Sequence, residues 1–199
     1  MSRVFPGFGV RRLVRAGAAG AFVVVALGGC SGADDESAAP TPVPAEALGA
    51  SQALCGLDRV SVEAVTGLAA DTADDDFVGQ GAALRGECEI HSDEGDPVVD
   101  VVRLTVYDAS SENCVAGREI VEGRGDWPET ARFEALDGGV WAQVERSDEQ
   151  RPVGPSTVAF VGDLCVSMDL AAMAPGRNPV REAEALTMQV IAMLGLDGS

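Results

Sequence analysis

The sequence predicts an α+β domain in which an antiparallel sheet of about five or six strands packs against three helices. Several runs alternate between apolar and polar residues and are separated by short turns rich in Gly and Asp, as in hairpin-connected strands. The later connections are too short for crossovers, so these strands should be antiparallel and lie in sequence order or nearly so. Three other stretches have apolar residues at helical spacing with capping residues at their ends, which predicts helices.

The first predicted helix lies within residues 54–67. Ser61 is its expected N-terminal cap and Gly67 its expected end. Its buried face should contain Val60, Ala64 and Val65. The acidic stretch 71–81 that follows has glycines and little to bury, and it is predicted to be a loop.

Two strands are predicted next, over residues 82–91 and 97–107, with an acidic turn at 92–96 between them. In the second strand Val99, Val101, Leu104 and Val106 are apolar but their alternation slips, which predicts a β-bulge in this strand.

A middle helix is predicted over residues 110–121, although Gly117 costs it about 1 kcal/mol relative to alanine. Two hairpins should follow, with their turns at Asp137-Gly138-Gly139 and Gly162-Asp163. Their strands are predicted at residues 131–136, 140–146, 156–161 and 164–170.

The C-terminal helix has the strongest local signals. Asn178 is a good cap, Pro179 suits the first helical position, and Gly195 ends the helix. The expected buried face consists of Val180, Ala183, Thr187, Val190, Ile191 and Leu194.

Residues 1–29 have the layout of a lipoprotein signal peptide, with a basic start followed by a short apolar run. That run, residues 18–27, is shorter than the roughly 20 residues of a membrane-spanning helix. It ends in Leu27-Gly28-Gly29-Cys30, which resembles a lipobox and predicts cleavage before Cys30 and lipidation of its thiol. The alternative is an ordinary secretory peptide with a cysteine after its cleavage site. Lipidation would place the protein on the extracytoplasmic face of the cell membrane, because two acyl chains anchor stably.

The mature chain is predicted to consist of a tether and one domain. Residues 30–50 contain the lipidated cysteine and a polar, proline-rich stretch, which is typical of a disordered tether. Residues 51–199 have the length of a single extracytoplasmic α+β domain.

Charge limits the possible partners. Cleavage removes four of the 14 arginines, and the ten that remain face 32 acidic residues, a formal charge of -22 with no lysine. This charge opposes binding to nucleic acid and to anionic lipid, so no nucleic-acid partner is expected. The expected partners are the membrane, through the anchor on Cys30, and an envelope protein or small ligand.

Four cysteines remain after lipidation, namely Cys55, Cys88, Cys114 and Cys165. An even number in an oxidising compartment predicts two disulfides, with three possible connectivities. Pairing Cys55 with Cys88 and Cys114 with Cys165 is favoured because these pairs close the shorter loops. No pair has the Cys-x-x-Cys spacing of zinc sites.

The residues for familiar catalysis are scarce. His91 is the single histidine, expected to be partly exposed at a strand end, and no Gly-x-Ser-x-Gly sequence presents a nucleophile. The acidic residues from Asp71 to Asp76 do not have the spacing of a helix-loop-helix calcium site. Trp141 is expected in the core, whereas Trp127, in a loop, is a candidate pocket residue. The sequence therefore predicts no metal and no cofactor.

Several features together resemble the small surface lipoproteins of actinobacteria. They are the lipobox, the proline-rich tether, Cys55-Gly56-Leu57 before a short helix that ends in Thr66-Gly67, and Cys88 on an early strand. A composition poor in residues with AT-rich codons agrees with such a source. The resemblance implies an extracytoplasmic α+β domain with disulfides and no assigned catalysis, and it supplies no site residues.

The leading hypothesis is a non-catalytic, membrane-anchored lipoprotein that binds a ligand or partner in the cell envelope or has a structural role there. The alternative is a wall-directed hydrolase that uses carboxylates alone, since the chain has 32 acidic residues.

Overall fold

Nine β-strands and three α-helices lie within the part of the chain that the computed structural model describes, residues 39–46, 53–94, 98–124, 129–143 and 154–196. The strands are β1 (Ala53–Leu54), β2 (Leu57–Asp58), β3 (Thr72–Asp75), β4 (Gly86–Ser92), β5 (Val99–Asp108), β6 (Glu129–Arg132), β7 (Gly139–Gln143), β8 (Pro155–Val161) and β9 (Leu164–Leu170). The helices are α1 (Arg59–Thr66), α2 (Val115–Val121) and α3 (Pro179–Met193). The predicted signal peptide, Cys30 and Trp127 lie outside the described residues.

Seven strands form one antiparallel sheet in the order β3-β4-β5-β9-β8-β7-β6, and β1 and β2 form a separate hairpin. The predicted α+β class is confirmed, but the strand count is higher than predicted. The predicted strand order is also wrong in its second half, where β6 to β9 run in reverse. The connection between β5 and β6 contains α2 and carries the chain to the far edge of the sheet. Strands β6 to β9 then return towards β5, so that β9 pairs with β5.

The additional edge strand, β3, lies where a loop was predicted. Its pairing with β4 places Thr72 opposite His91 and Asp74 opposite Glu89. The prediction was wrong because Thr-Ala-Asp-Asp has no apolar alternation; the strand forms through backbone pairing with β4. Charged residues on an edge strand also disfavour pairing with another chain.

The predicted bulge lies in β5. Ile90 is opposite Val102 and His91 is opposite Asp100, which leaves Val101 without a partner in the register. Val101 and Val102 are consequently both buried.

Helices α1 and α3 lie on one face of the sheet, called here the inner face. The main core between them includes Ile90, Leu104, Val106, Met168, Leu186 and Val190. The predicted caps of α3 are confirmed, since the side chain of Asn178 accepts a hydrogen bond from Arg181 N at 3.0 Å and Pro179 is the first helical residue.

Helix α1 begins differently from the prediction. Its cap is Asp58, whose Oδ2 accepts a hydrogen bond from Ser61 N at 2.9 Å. Val62 and Val65 are fully buried on this helix, whereas Val60 is 56% exposed. The predicted burial of Val60 was therefore wrong.

Helix α2 covers part of the opposite, outer face. It begins later than predicted, after a single 3-10 turn, and it packs over β7 and β8. Its contact cluster consists of Cys114, Ile120, Val140, Ala142, Val158 and Cys165. Gly117 is needed here because a Cβ atom at this position would lie 2.6 Å from Cγ1 of Val158.

Two disulfides, Cys55–Cys88 and Cys114–Cys165, join the same pairs that sequence analysis favoured, with Cα–Cα distances of 6.1 and 6.3 Å. The first ties the β1–β2 turn to β4, and the second ties the start of α2 to β9. Among the described residues, no helix is long and apolar enough to cross a membrane.

Candidate functional site

The part of the outer face that is formed by β3, β4 and β5 lies beside the part that α2 covers. Alternation along β4 decides which side chains it presents, because successive residues of a strand point to opposite faces. Cys88 and Ile90 are buried on the inner side, so Glu87, Glu89 and His91 lie on the outer side. The Cys55–Cys88 disulfide holds β4 from the inner side, directly between the two glutamates.

Neighbouring strands add charged side chains to the same surface. Asp74 of β3 lies opposite Glu89, Glu89 lies opposite Arg103 of β5, and Asp100 of β5 lies opposite His91. We call this surface the acidic face, and it consists of Asp74, Glu87, Glu89, His91, Asp100 and Arg103.

Arg103 lies at the centre of the acidic face. Its Nε and Nη2 atoms lie 2.7 and 2.5 Å from Oε1 of Glu89, and Nε lies 2.9 Å from Oε1 of Glu87. Partial burial lowers the pKa of Arg103, but the hydrogen bond to Glu89 and the charges of Glu89, Glu87 and Asp100 outweigh burial, so that pKa is raised. The guanidinium is thus a permanent positive charge in the middle of this surface.

His91 lies between two carboxylates. Its Nδ1 is 3.1 Å from Oδ1 of Asp100, its Nε2 is 3.5 Å from Oδ2 of Asp74, and its side chain is 14% exposed. A neutral imidazole has one N–H group, whereas an imidazolium has two. The protonated ring can therefore donate to both carboxylates, and the neutral ring to one.

The acidic face keeps a negative charge despite Arg103. Its four carboxylates against one guanidinium leave a formal charge of -3 with neutral His91. Beside them is an open depression of about 400 Å³ whose five lining residues are Asp74, Asp75, Asp76, Glu87 and Glu89. Such a surface attracts cations and repels anions.

One group of described residues brings metal-ligating atoms together. Atoms of Glu89, His91 and Asp100 lie within 4.8 Å of one another, and imidazole and carboxylate are both zinc ligands. Arg103 already donates to Glu89, so a metal ion would compete with a guanidinium for the same carboxylate. Arg103 therefore supplies a positive charge beside these carboxylates.

The other residues singled out from the sequence have structural positions. Trp141 is 4% exposed in the main core, as predicted. Oδ2 of Asp71 accepts a hydrogen bond from Asp93 N at 2.8 Å, and Oδ1 of Asp76 accepts one from Glu87 N at 2.6 Å. These two acidic residues therefore bind backbone groups.

Sequence analysis did not predict the acidic face. Its residues come from three strands, and one of these strands was predicted to be a loop. A local signal existed in Glu87-Cys88-Glu89-Ile90-His91, where charged residues alternate with buried ones. That alternation predicts a strand with one charged face, but it does not locate Asp74 or Arg103 beside it.

Comparison with known proteins does not identify a family. No protein-family model, no curated protein and no solved structure matches this chain.

Proposed function

We propose that the protein is a lipid-anchored, extracytoplasmic and non-catalytic lipoprotein that binds a positively charged ligand or partner in the cell envelope through its acidic face. The observation that carries this proposal is the division of the outer face. Helix α2 and the Cys114–Cys165 disulfide cover β7 and β8, whereas β3, β4 and β5 present charged side chains beside an open depression.

The arrangement of the acidic face favours binding over a merely solvated surface. Glu87 and Glu89 are 36% and 31% exposed, and Arg103 holds both of them. Their orientation is therefore set before a ligand arrives, which reduces the entropy that binding costs. Asp74, in contrast, is 91% exposed and accessible to a partner.

A cationic partner follows from the charge of this surface. Two opposite charges about 4 Å apart in water attract by about 1 kcal/mol, so a few such pairs give measurable affinity. Salt weakens these contacts, because the Debye length is only about 8 Å at physiological ionic strength. The proposed interaction is therefore salt-sensitive.

The proposed location depends on Cys30 and the lipobox before it. Two acyl chains on Cys30 are sufficient for stable anchoring, each buried methylene contributing about 0.8 kcal/mol. The anchor, and not the charge of the domain, would hold the protein at the membrane.

Binding of fluorescent decalysine to the full-length protein in detergent tests the proposal by anisotropy. We expect Asp74→Asn with Glu87→Gln to weaken binding about thirtyfold at low salt, since two attractive pairs of about 1 kcal/mol each are lost. The matched control is Glu134→Gln with Asp137→Asn, which removes the same charge from exposed positions outside the acidic face. Equal weakening by both pairs would show a general charge effect and refute the proposal.

The alternative is a hydrolase that uses carboxylates alone. Screening the same protein for turnover of envelope glycans and esters distinguishes it from the non-catalytic proposal. Turnover that a single Asp or Glu substitution abolishes would establish the hydrolase and overturn the non-catalytic proposal.

A further inference from the structure

A piece of the segment predicted as a tether contacts the domain. We call residues 39–46 the clasp segment, which lies along α3. The amide of Val43 donates a hydrogen bond to Glu182 Oε2 at 3.0 Å, and Arg177 Nη1 donates one to the carbonyl of Thr41 at 2.7 Å. Gln189 Nε2 donates to the carbonyl of Pro44 at 2.9 Å.

Two partners of the clasp segment are polar side chains in the interior. Glu182 is 2% exposed and Gln189 is fully buried. Buried polar groups are costly unless they are hydrogen-bonded, and the clasp segment supplies some of the required partners. Arg177 Nη1 also lies 3.2 Å from Glu182 Oε1. The side chain of Val43 packs against the main core, so the contact is both polar and apolar.

The clasp segment also bears on the start of α1. Gln189 Oε1 accepts a hydrogen bond from Asp58 N at 2.9 Å, and Gln189 Nε2 lies 3.2 Å from Ser61 Oγ. One buried side chain therefore joins the clasp segment to α3 and to the cap of α1. These contacts place the clasp segment in the helical layer, on the inner side of the sheet.

We propose that the clasp segment fixes the orientation of the domain, with its helical layer towards the bilayer and its acidic face towards the envelope space. This inference rests on the proposed lipid anchor at Cys30. Only residues 31–38 lie between Cys30 and the clasp segment. A chain of that length spans at most about 30 Å.

The reach of this connection limits how far the domain can turn. A domain of about 150 residues is roughly 40 Å across, so a path over its surface to the opposite side measures roughly 60 Å. The connection is about half that length. The acidic face lies on the other side of the sheet from the clasp segment, so it cannot be turned fully onto the bilayer. Repulsion between the acidic face and anionic lipid acts in the same direction.

Depth-dependent quenching tests the orientation. Full-length protein with Arg181→Cys or Thr72→Cys, labelled with NBD, is placed in phosphatidylcholine–phosphatidylglycerol vesicles that carry a headgroup nitroxide. Arg181 is exposed on α3, and Thr72 is exposed on β3 next to the acidic face. We expect roughly threefold stronger quenching at position 181, because the width of the domain separates the two sites. Equal quenching, or stronger quenching at position 72, would overturn the orientation.

Two clasp variants identify the cause. Val43→Asp places a carboxylate near Glu182 and should release the clasp segment, bringing the quenching ratio towards one. Ala45→Asp adds the same charge at an exposed clasp position and should leave the ratio unchanged. An unchanged ratio in Val43→Asp would overturn the role of the clasp segment.

Vesicle binding distinguishes the anchor from the orientation. Protein that does not bind the vesicles at all would refute the lipid anchor and this inference with it. Vesicle binding with equal quenching at both positions would refute the orientation alone.

Discussion

Oε1 of Glu89 accepts two hydrogen bonds from Arg103 on the neighbouring strand, from Nε at 2.7 Å and from Nη2 at 2.5 Å. The two residues are direct cross-strand partners on the outer face. Because Arg103 also contacts Glu87, one cation keeps two carboxylates in a fixed place on the acidic face. The arrangement therefore combines a rigid centre with an exposed carboxylate, Asp74, at the edge.

Replacing this cation should destabilise the domain. We expect Arg103→Met to lower the free energy of unfolding by about 1 kcal/mol, less than a buried charged hydrogen bond contributes, because the side chains are about one-third exposed. Urea denaturation measures the change. Arg181→Met is the control, since it removes an exposed arginine from α3. A loss no larger than that of the control would contradict the central role of Arg103.

The stability lost in Arg103→Met should not depend on pH near neutrality. Although burial lowers it, the pKa of Arg103 is raised overall by the hydrogen bond and charges of Glu89 and by the charges of Glu87 and Asp100. A raised pKa means that the contribution of Arg103 is complete at every pH below the pKa of a free arginine and is lost only at higher pH. The stability difference between wild type and Arg103→Met should therefore be flat from about pH 6 to 9. A difference that disappears in this range would contradict the assignment.

Gly117 should be required for the packing of α2. Gly117→Ala brings a methyl group to within 2.6 Å of Val158 Cγ1, and overpacking of this kind costs about 1 to 3 kcal/mol. Alanine favours the helix by up to about 1 kcal/mol, so the net effect is a loss of stability. In a Val158→Ala background the same change should be neutral or stabilising. Thermal unfolding of the wild type, the two single variants and the double variant measures these effects. An equal effect of Gly117→Ala in both backgrounds would exclude the clash with Val158.

The two disulfides should contribute similarly to stability. Each disulfide closes a loop and should raise the free energy of unfolding by roughly 2 to 4 kcal/mol. Their sequence separations are 33 and 51 residues, a ratio that changes the loop entropy by only about 0.4 kcal/mol. Calorimetry of the Cys55→Ala/Cys88→Ala and Cys114→Ala/Cys165→Ala variants should therefore show comparable decreases in melting temperature. Mass mapping of the wild type without reductant that finds four free thiols would refute both disulfides.

The anchor can be tested in the cell. Cys30→Ala removes the only acyl acceptor of the lipobox, so uncleaved precursor should accumulate and the mature membrane-bound form should disappear. Fractionation with mass spectrometry of the N-terminus measures both. Wild-type protein found chiefly in the medium, without acyl mass on Cys30, would contradict the proposed location.

The predictability of each element follows from how local its signals are. The start of α3 was predicted correctly because Asn178 and Pro179 act within their own turn of the helix. The hairpin turn at Gly162-Asp163 was also predicted, since it depends on adjacent residues. Strand β3 was missed because its pairing partner lies on β4 and its own sequence is acidic.

The contacts of the clasp segment were missed for a similar reason. Proline-rich composition is typical of a free tether, and nothing in residues 39–46 points to Glu182 or Gln189, which are more than 130 positions away. The acidic face likewise required knowledge of the strand order. Arg103 and Asp74 come together only after β3, β4 and β5 are aligned in register.

The most direct test of the central claim, that the acidic face is the binding surface, is an amide NMR titration of the protein with decalysine. We predict that the largest chemical-shift changes occur on β3, β4 and β5, around Asp74, Glu87 and His91, and that α3 and the exposed acids Glu134 and Asp137 shift little. Changes spread evenly over all acidic surfaces, or concentrated away from β3, β4 and β5, would contradict the claim.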